Sequence, residues 1–136
     1  MDEALLQAYR TTDYLVCIDE IEWACIRIDQ VLPEPLQALV GPRCWGFITA
    51  WNPRGERRAT ADNLLAQREL LTTLRTWPEA AIYSAIGVGC SGWSEPSLFV
   101  IGPNIPTLDA LANRHEQNAY VHGHGRATAS LRLLRP

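Results

Sequence analysis

The chain contains no lysine, one methionine and two phenylalanines, and no apolar run approaches the roughly 20 residues of a bilayer-spanning helix. It opens Met1-Asp2-Glu3, whereas a secretory leader needs a basic start followed by an apolar stretch. Repeats, low-complexity tracts and internal linkers are lacking, and no C-x-x-C pair occurs among Cys17, Cys25, Cys44 and Cys90. These absences argue against a membrane partner, an exported chain and a zinc module. What remains is a soluble cytoplasmic protein of 136 residues, 47% hydrophobic and 20% charged, which fits a single domain over 1–136.

With no lysine, all 12 basic side chains are arginine, and the formal net charge is −3. Arginine is the better planar anion binder, but a compositional bias of the source genome explains its exclusive use more economically. The acidic balance argues against a surface built to neutralise phosphates, so no nucleic-acid partner is expected. Residues 1–34 carry eight acids against Arg10 and Arg27, and the rest of the chain is net basic. The simplest account is a solvated acidic face. Three cysteines lie within apolar runs and are expected as buried, reduced, small hydrophobes; Cys90 alone looks exposed.

The hydrophobic pattern gives a succession of elements. Residues 2–10 form a short helix, and Tyr14–Ile18 and Ile21–Ile28 a strand pair. In the second of these, Ala24, Ile26 and Ile28 share one face. Pro33 and Pro35 open a short helix to Val40, closed by Gly41-Pro42. Cys44–Ala50 is apolar on both faces, the mark of a covered central strand, and it ends in the turn Asn52-Pro53-Arg54-Gly55. A helix over Thr60–Thr76 carries Leu64, Gln67, Leu70, Leu71, Leu74 and Trp77 on one side. Ala80–Ile86 reads as a strand, Gly87–Trp93 as a loop, and Ser97–Ile101 as another strand. Asn104 caps a helix with Leu108, Leu111, Ala112 and His115 on one stripe, and strands Asn118–His122 and Thr128–Leu134 close the chain. From Cys44 onward the order is strand, helix, strand, strand, helix, strand. The expectation is an α+β protein with an antiparallel or mixed sheet. Its ferredoxin-like βαββαβ core spans about 43–123, with an N-terminal helix and hairpin and a C-terminal strand added.

That topology brings together polar segments far apart in sequence. The first core strand would leave the sheet at Asn52, while the third and fourth enter from the same side at Glu95 and Gln117-Asn118. The Gly87–Trp93 loop and the start of the long helix belong there too, with Arg54, Arg57 and Arg58 in the loop that feeds the helix. One carboxylate, several amides and Trp51 and Trp93 make a small-molecule pocket. The competing structural account is that Asn52, Glu95 and Gln117 satisfy backbone groups at strand ends.

Other motifs are weaker. Gly87-Val-Gly89-Cys-Ser-Gly92 spells G-x-G-x-x-G, yet a dinucleotide site needs that loop to open a helix, and Trp93-Ser94-Glu95-Pro96 and a strand follow. No cofactor is implied. Cys90 and His115 would make a nucleophile pair if both reach the pocket, although a histidine on an apolar stripe is more often packed. His122-Gly123-His124 lacks a third ligand, and no metal is expected.

Ile48-Thr49-Ala50-Trp51-Asn52-Pro53, then Asn63, Trp93-Ser94-Glu95-Pro96-Ser97 and Gln117-Asn118-Ala119, resemble the signature of the bacterial family called domain of unknown function 3293. The segment Tyr9 to Tyr14, with Thr11 and Thr12 between, resembles the same family's approach to its first strand. The likeness covers nearly the whole chain, and the I-T-A-x-N-P block is its most specific part. It implies a compact, soluble bacterial protein without an established activity, and it singles out Asn52, Asn63, Glu95, Ser97 and Gln117. The Arg54–Arg58 loop departs from the family's pattern.

The residues thus point to binding of a small polar metabolite. Asn52, Asn63 and Gln117 would orient it, Glu95 would be charged anchor or general base, Trp51 and Trp93 would be walls, and Arg54 and Ser97 are further candidate binding residues. Catalysis is left open, with Glu95, Cys90 and His115 as the candidate groups. The alternative is a protein-interaction or regulatory domain without catalysis, suggested by the two-faced strand and the acidic N-terminal part. Either accommodates a monomer or a homodimer.

Overall fold

The double-sided strand is the place to begin. In a computed structural model, which describes residues 1–135, it is β3 (Cys44–Ile48), and its two faces feed two separate cores. Trp45 and Phe47 pack into one core, with Val16, Ile26, Leu36, Phe99 and Val121. Ile48 and Ala50 pack into the other, with Leu70, Leu74, Val100, Leu108 and Leu111. A strand buried on both sides needs cover on both sides, and the rest of the chain supplies it.

One sheet runs through the described residues, in the order β2-β1-β4-β5-β3-β6-β7, with every neighbouring pair antiparallel. Its strands are β1 (Asp13–Cys17), β2 (Trp23–Ile26), β3, β4 (Ala81–Val88), β5 (Ser94–Ile101), β6 (Ala119–His124) and β7 (Ser130–Leu133). The sheet curls into a half-barrel, and the architecture is mixed α+β. The long helices α3 (Thr60–Arg75) and α4 (Ile105–Arg114) lie on its outer face over the second core. The inner face is covered by α2 (Glu34–Val40) through Leu36 and Val40, while α1 (Glu3–Arg10) reaches the same core through Tyr9. The N-terminal strands extend the sheet beside β4, and β7 extends it beside β6.

Two close approaches fix the layers. A Cβ on Gly46 would sit 2.8 Å from the Leu108 methyls, so the absence of a side chain lets α4 settle on β3. Across the β3–β6 pair Trp45 faces Gly123, and a Cβ there would lie 2.7 Å from the indole nitrogen. The ring occupies the space that a side chain at Gly123 would fill.

Several expectations need correction. The strands around the glycine-rich loop are longer: β4 runs on through Val88 and β5 starts at Ser94, leaving only residues 89–93 as the turn. Pro96 is tolerated inside β5 because β3 pairs only as far as Leu98, so one side of β5 has no strand partner there. On α3 the inward positions are Asn63, Leu70 and Leu74, with Gln67 half-buried, whereas Leu64 is exposed. The polar pair faces inward because it meets the backbone end of β3: Gln67 Oε1 accepts from Ala50 N–H at 2.9 Å, and Asn63 Oδ1 from Asn52 N–H at 2.9 Å. The hairpin strand β2 is shorter than the apolar run around it, because Asp19 Oδ1 accepts from Ile21 and Glu22 N–H in a tight turn. β6 continues through His124, and the last turn follows it. No cysteine is fully buried: Cys25 is exposed along with Cys90, and all four are unpaired.

Candidate functional site

The inward-facing row of β5 reads Glu95, Ser97, Phe99, Ile101, with Phe99 and Ile101 in the inner core. The row therefore turns from apolar to ionisable as the strand reaches the open end of the half-barrel. Across the sheet, Glu95 pairs with Gly87 on β4, and Gly87 pairs with Tyr14 on β1. Because Gly87 has no side chain, a hollow is left between Tyr14 and Glu95. The Trp93 ring lies along its edge, 3.8 Å from where a Cβ on Gly87 would be.

Next to that hollow lies a cleft of about 300 Å³, with Tyr9, Trp93, Glu95 and Gln117 common to both. Leu5, Ala8 and Tyr9 of α1 form one wall, and the hairpin residues Gly89, Cys90, Ser91 and Trp93 a second. Asn52 and Gly55 after β3, and Gln117 and Asn118 before β6, form the third, with Glu95 inside. A narrow extension of about 50 Å³ runs beneath it past Tyr14, Phe47, Gly87 and Ser97. A larger groove of about 660 Å³ lies elsewhere, between α2 and the turn after β6. Its lining includes Gln37, Gly41, Pro42, His124 and Gly125.

Electrostatically the cleft is acidic but poorly solvated. Enclosure alone pushes the Glu95 carboxyl up to about 8, since burial penalises its charged form. No side chain among the described residues donates a hydrogen bond or an ion pair to it. Burial together with the nearby Glu95 raises the Tyr9 phenol to about 12, and burial raises Tyr14 as well. Tyr14 donates its hydroxyl to the Tyr9 carbonyl at 2.7 Å, and Thr12 donates to the Ala8 carbonyl at 2.6 Å. These bonds tie the end of α1 to the start of β1, so Tyr9 is held against the cleft.

The amides divide by role. Gln117 is buried and donates Nε2 to the carbonyls of Trp51 at 3.1 Å and His115 at 3.2 Å, which leaves its Oε1 without a protein donor. Asn52 adopts a left-handed backbone (φ 45°) and accepts at Oδ1 from Asn63 Nδ2 at 2.8 Å and Arg58 N–H at 3.2 Å. Its own Nδ2 is unused. Asn63 is spent entirely on this loop: its Oδ1 accepts from Asn52 N–H and from Arg58 Nε, and its Nδ2 reaches Asn52 and the Arg58 carbonyl. Ser97 donates to the Glu95 carbonyl at 3.1 Å and lies in the lower extension.

Of the residues singled out in the sequence, Asn52, Cys90, Trp93, Glu95 and Gln117 come together on the cleft, with Ser97 just beneath. Trp51 contributes its carbonyl to Gln117, and its side chain is not part of the wall. Arg54 pairs with Glu116 at 2.7 Å in a separate concavity shared with Arg57 and Arg58. Asn63 braces the loop from behind. His115 caps the end of α4, buried, with burial lowering its pKa, and is not on the cleft, so no Cys90–His115 pair forms. Sequence reasoning missed Tyr9, Thr12 and Tyr14 as lining residues. The Tyr9–Tyr14 block was the signal that could have found them, because it was already part of the family resemblance.

No helix is long and apolar enough to cross a membrane among the described residues. No curated protein and no solved structure matches the chain. A family model matches residues 48–120, from the end of β3 through α3, the hairpin and α4 into β6, which is the stretch that supplies Asn52, Trp93, Glu95 and Gln117. With more than half of its length matched, the chain belongs to the family described as protein of unknown function, DUF3293.

Proposed function

We propose that this chain binds a small polar molecule in the cleft at the open end of the half-barrel, with Glu95 as its anchor. The observation that carries the reading is Glu95 itself: an enclosed carboxyl with no donor from the protein, on the floor of a cleft that also holds an unused Gln117 oxygen and an unused Asn52 amide. None of these atoms is wholly sealed from solvent, and a ligand that matches them takes the place of water there. A carboxyl titrating near neutrality also suits proton exchange with a bound molecule, so the same arrangement serves a binding protein or an acid–base enzyme. The order β6-β3-β5-β4 supports a ferredoxin-like reading of the middle of the chain. Four unpaired cysteines support a reducing, cytoplasmic setting.

Fragment screening by ¹H–¹⁵N spectra tests the proposal. Hits are expected to shift the Trp93 indole and the Gln117 side-chain amide, and to weaken in Gly89→Ala, whose methyl would press on the Trp93 ring of the cleft wall at 3.0 Å. Hits mapping elsewhere, or untouched by the substitution, overturn it.

A second reading, as an interaction domain, is favoured by one observation. The edge strand β2 exposes Trp23 at 52%, and Ile21 beside it is 92% exposed. Edge strands with apolar surface pair readily with another chain. Sedimentation of the wild type and Trp23→Ser checks it: self-association weakened by the substitution is expected, and a monomer at all concentrations removes the homodimer form of this reading.

A further inference from the structure

The cleft has an uneven hydrogen-bond inventory. Once ionised, the Glu95 carboxylate is an acceptor without a protein donor, as Gln117 Oε1 is, while the Gln117 nitrogen is already committed to two carbonyls. Among the described residues, no arginine or histidine lines the cleft. The nearest arginine cluster is held away: Arg54 is paired with Glu116, and Arg58 is engaged with Asn63 and the Asp62 carbonyl. The titratable groups that share the cleft and its lower extension with Glu95 are Tyr9 on α1, Tyr14 on β1, Tyr120 on β6 and Cys90 on the hairpin, and none of these is a cation. Beside the carboxyl, the Trp93 ring lies over Gly87 and Gly89.

We propose that the ligand of this cleft presents an organic cation, an ammonium or amidinium group received by the Glu95 carboxylate and Gln117 Oε1 beside the Trp93 ring. This rests on the cleft being the binding site, and adds the charge of what it takes. An ammonium carries three N–H donors and no acceptor, the complement of what the floor offers. Its charge supplies the partner that an enclosed carboxylate lacks, and the indole adds cation–π attraction. A carboxylate or phosphate ligand would instead face an acid with no base to offset it.

The test uses the whole chain and three probes of one shape: benzylamine, benzyl alcohol and benzoate, titrated at neutral pH and equal ionic strength. Shifts are read at the Trp93 indole N–H and the Gln117 side-chain amide. Benzylamine is expected to bind about tenfold or more tighter than benzyl alcohol, with benzoate weakest, and Glu95→Gln to remove that preference. A second measurement needs no variant. Because the enclosed carboxyl must lose its proton to pair with the amine, benzylamine affinity should rise by up to about tenfold per pH unit as neutrality is approached from below. Binding in the cleft without charge preference, with preference for benzoate, or with pH-independent amine affinity overturns the cation and leaves the cleft as a site. No shift from any of the three overturns both.

Discussion

Asn63 and Glu95 show how similar positions in sequence logic separate once their partners are known. Both are polar residues enclosed by the fold, and both belong to the family signature. Asn63 has every side-chain valence satisfied within the loop after β3, where it holds Asn52 in a left-handed conformation. Removing it orphans Asn52 N–H and releases Arg58. Asn63→Ala is therefore expected to destabilise the chain by about 1–3 kcal/mol, read from its denaturation midpoint, and an unchanged midpoint would refute this bracing role. Glu95 has no such partners. Its replacement takes nothing from the fold's hydrogen bonding, and this distinguishes a residue kept for a ligand from one kept for structure.

At the scale of elements, the cleft exists because two neighbouring strands stop at the same level while a hairpin beside them runs on. β3 ends at Ile48, β6 begins at Ala119, and the β4–β5 hairpin projects past both to carry Trp93 and Glu95 beyond the covered part of the sheet. α1 closes the remaining side although none of its residues is fully buried. The two central strands that set this level depend on the Trp45–Gly123 pairing. Gly123→Ala would drive a methyl into the indole at 2.7 Å, and neither a ring nor the central strand beside it gives way easily. The expected cost is about 1–3 kcal/mol, measured by chemical denaturation; a variant as stable as the wild type would mean that the ring moves freely.

For the whole molecule, the Glu95 carboxyl makes stability depend on pH in an unusual direction. Its folded value is raised to about 8 from an ordinary 4.5. Below the ordinary value both folded and unfolded chains hold the proton, and the group carries no penalty. As pH rises between the two values the unfolded chain releases its proton and the folded chain keeps it, so stability falls through this window and levels off above about 8. Asp109, held low chiefly by its hydrogen bonds from Arg132, acts oppositely, contributing stability that is lost as pH falls below its ordinary range. Thermal midpoints of the wild type and Glu95→Gln should thus coincide near pH 4 and separate toward pH 8 in favour of the variant. A gap that stays constant with pH would refute the raised value.

Much of this was legible in one dimension. The alternation around Trp45, Phe47, Ile48 and Ala50 identified a doubly covered strand, because burial on both faces leaves Thr49, near its end, as the one hydrogen-bonding side chain between Trp45 and Ala50. The Asn104 cap marked the start of α4, and the order of elements after Cys44 brought Asn52, Glu95 and Gln117 to one end of the sheet. Partnership was not legible. The sequence places Asn52, Asn63, Glu95 and Gln117 in one neighbourhood, but a side chain braces or binds according to which donors and acceptors reach it. That depends on backbone ends from β3, α3 and the turn before β6 meeting in space. Tyr9 and Tyr14 joined the cleft only because β1 docks beside β4 and brings α1 over its mouth, a long-range pairing that no local pattern encodes.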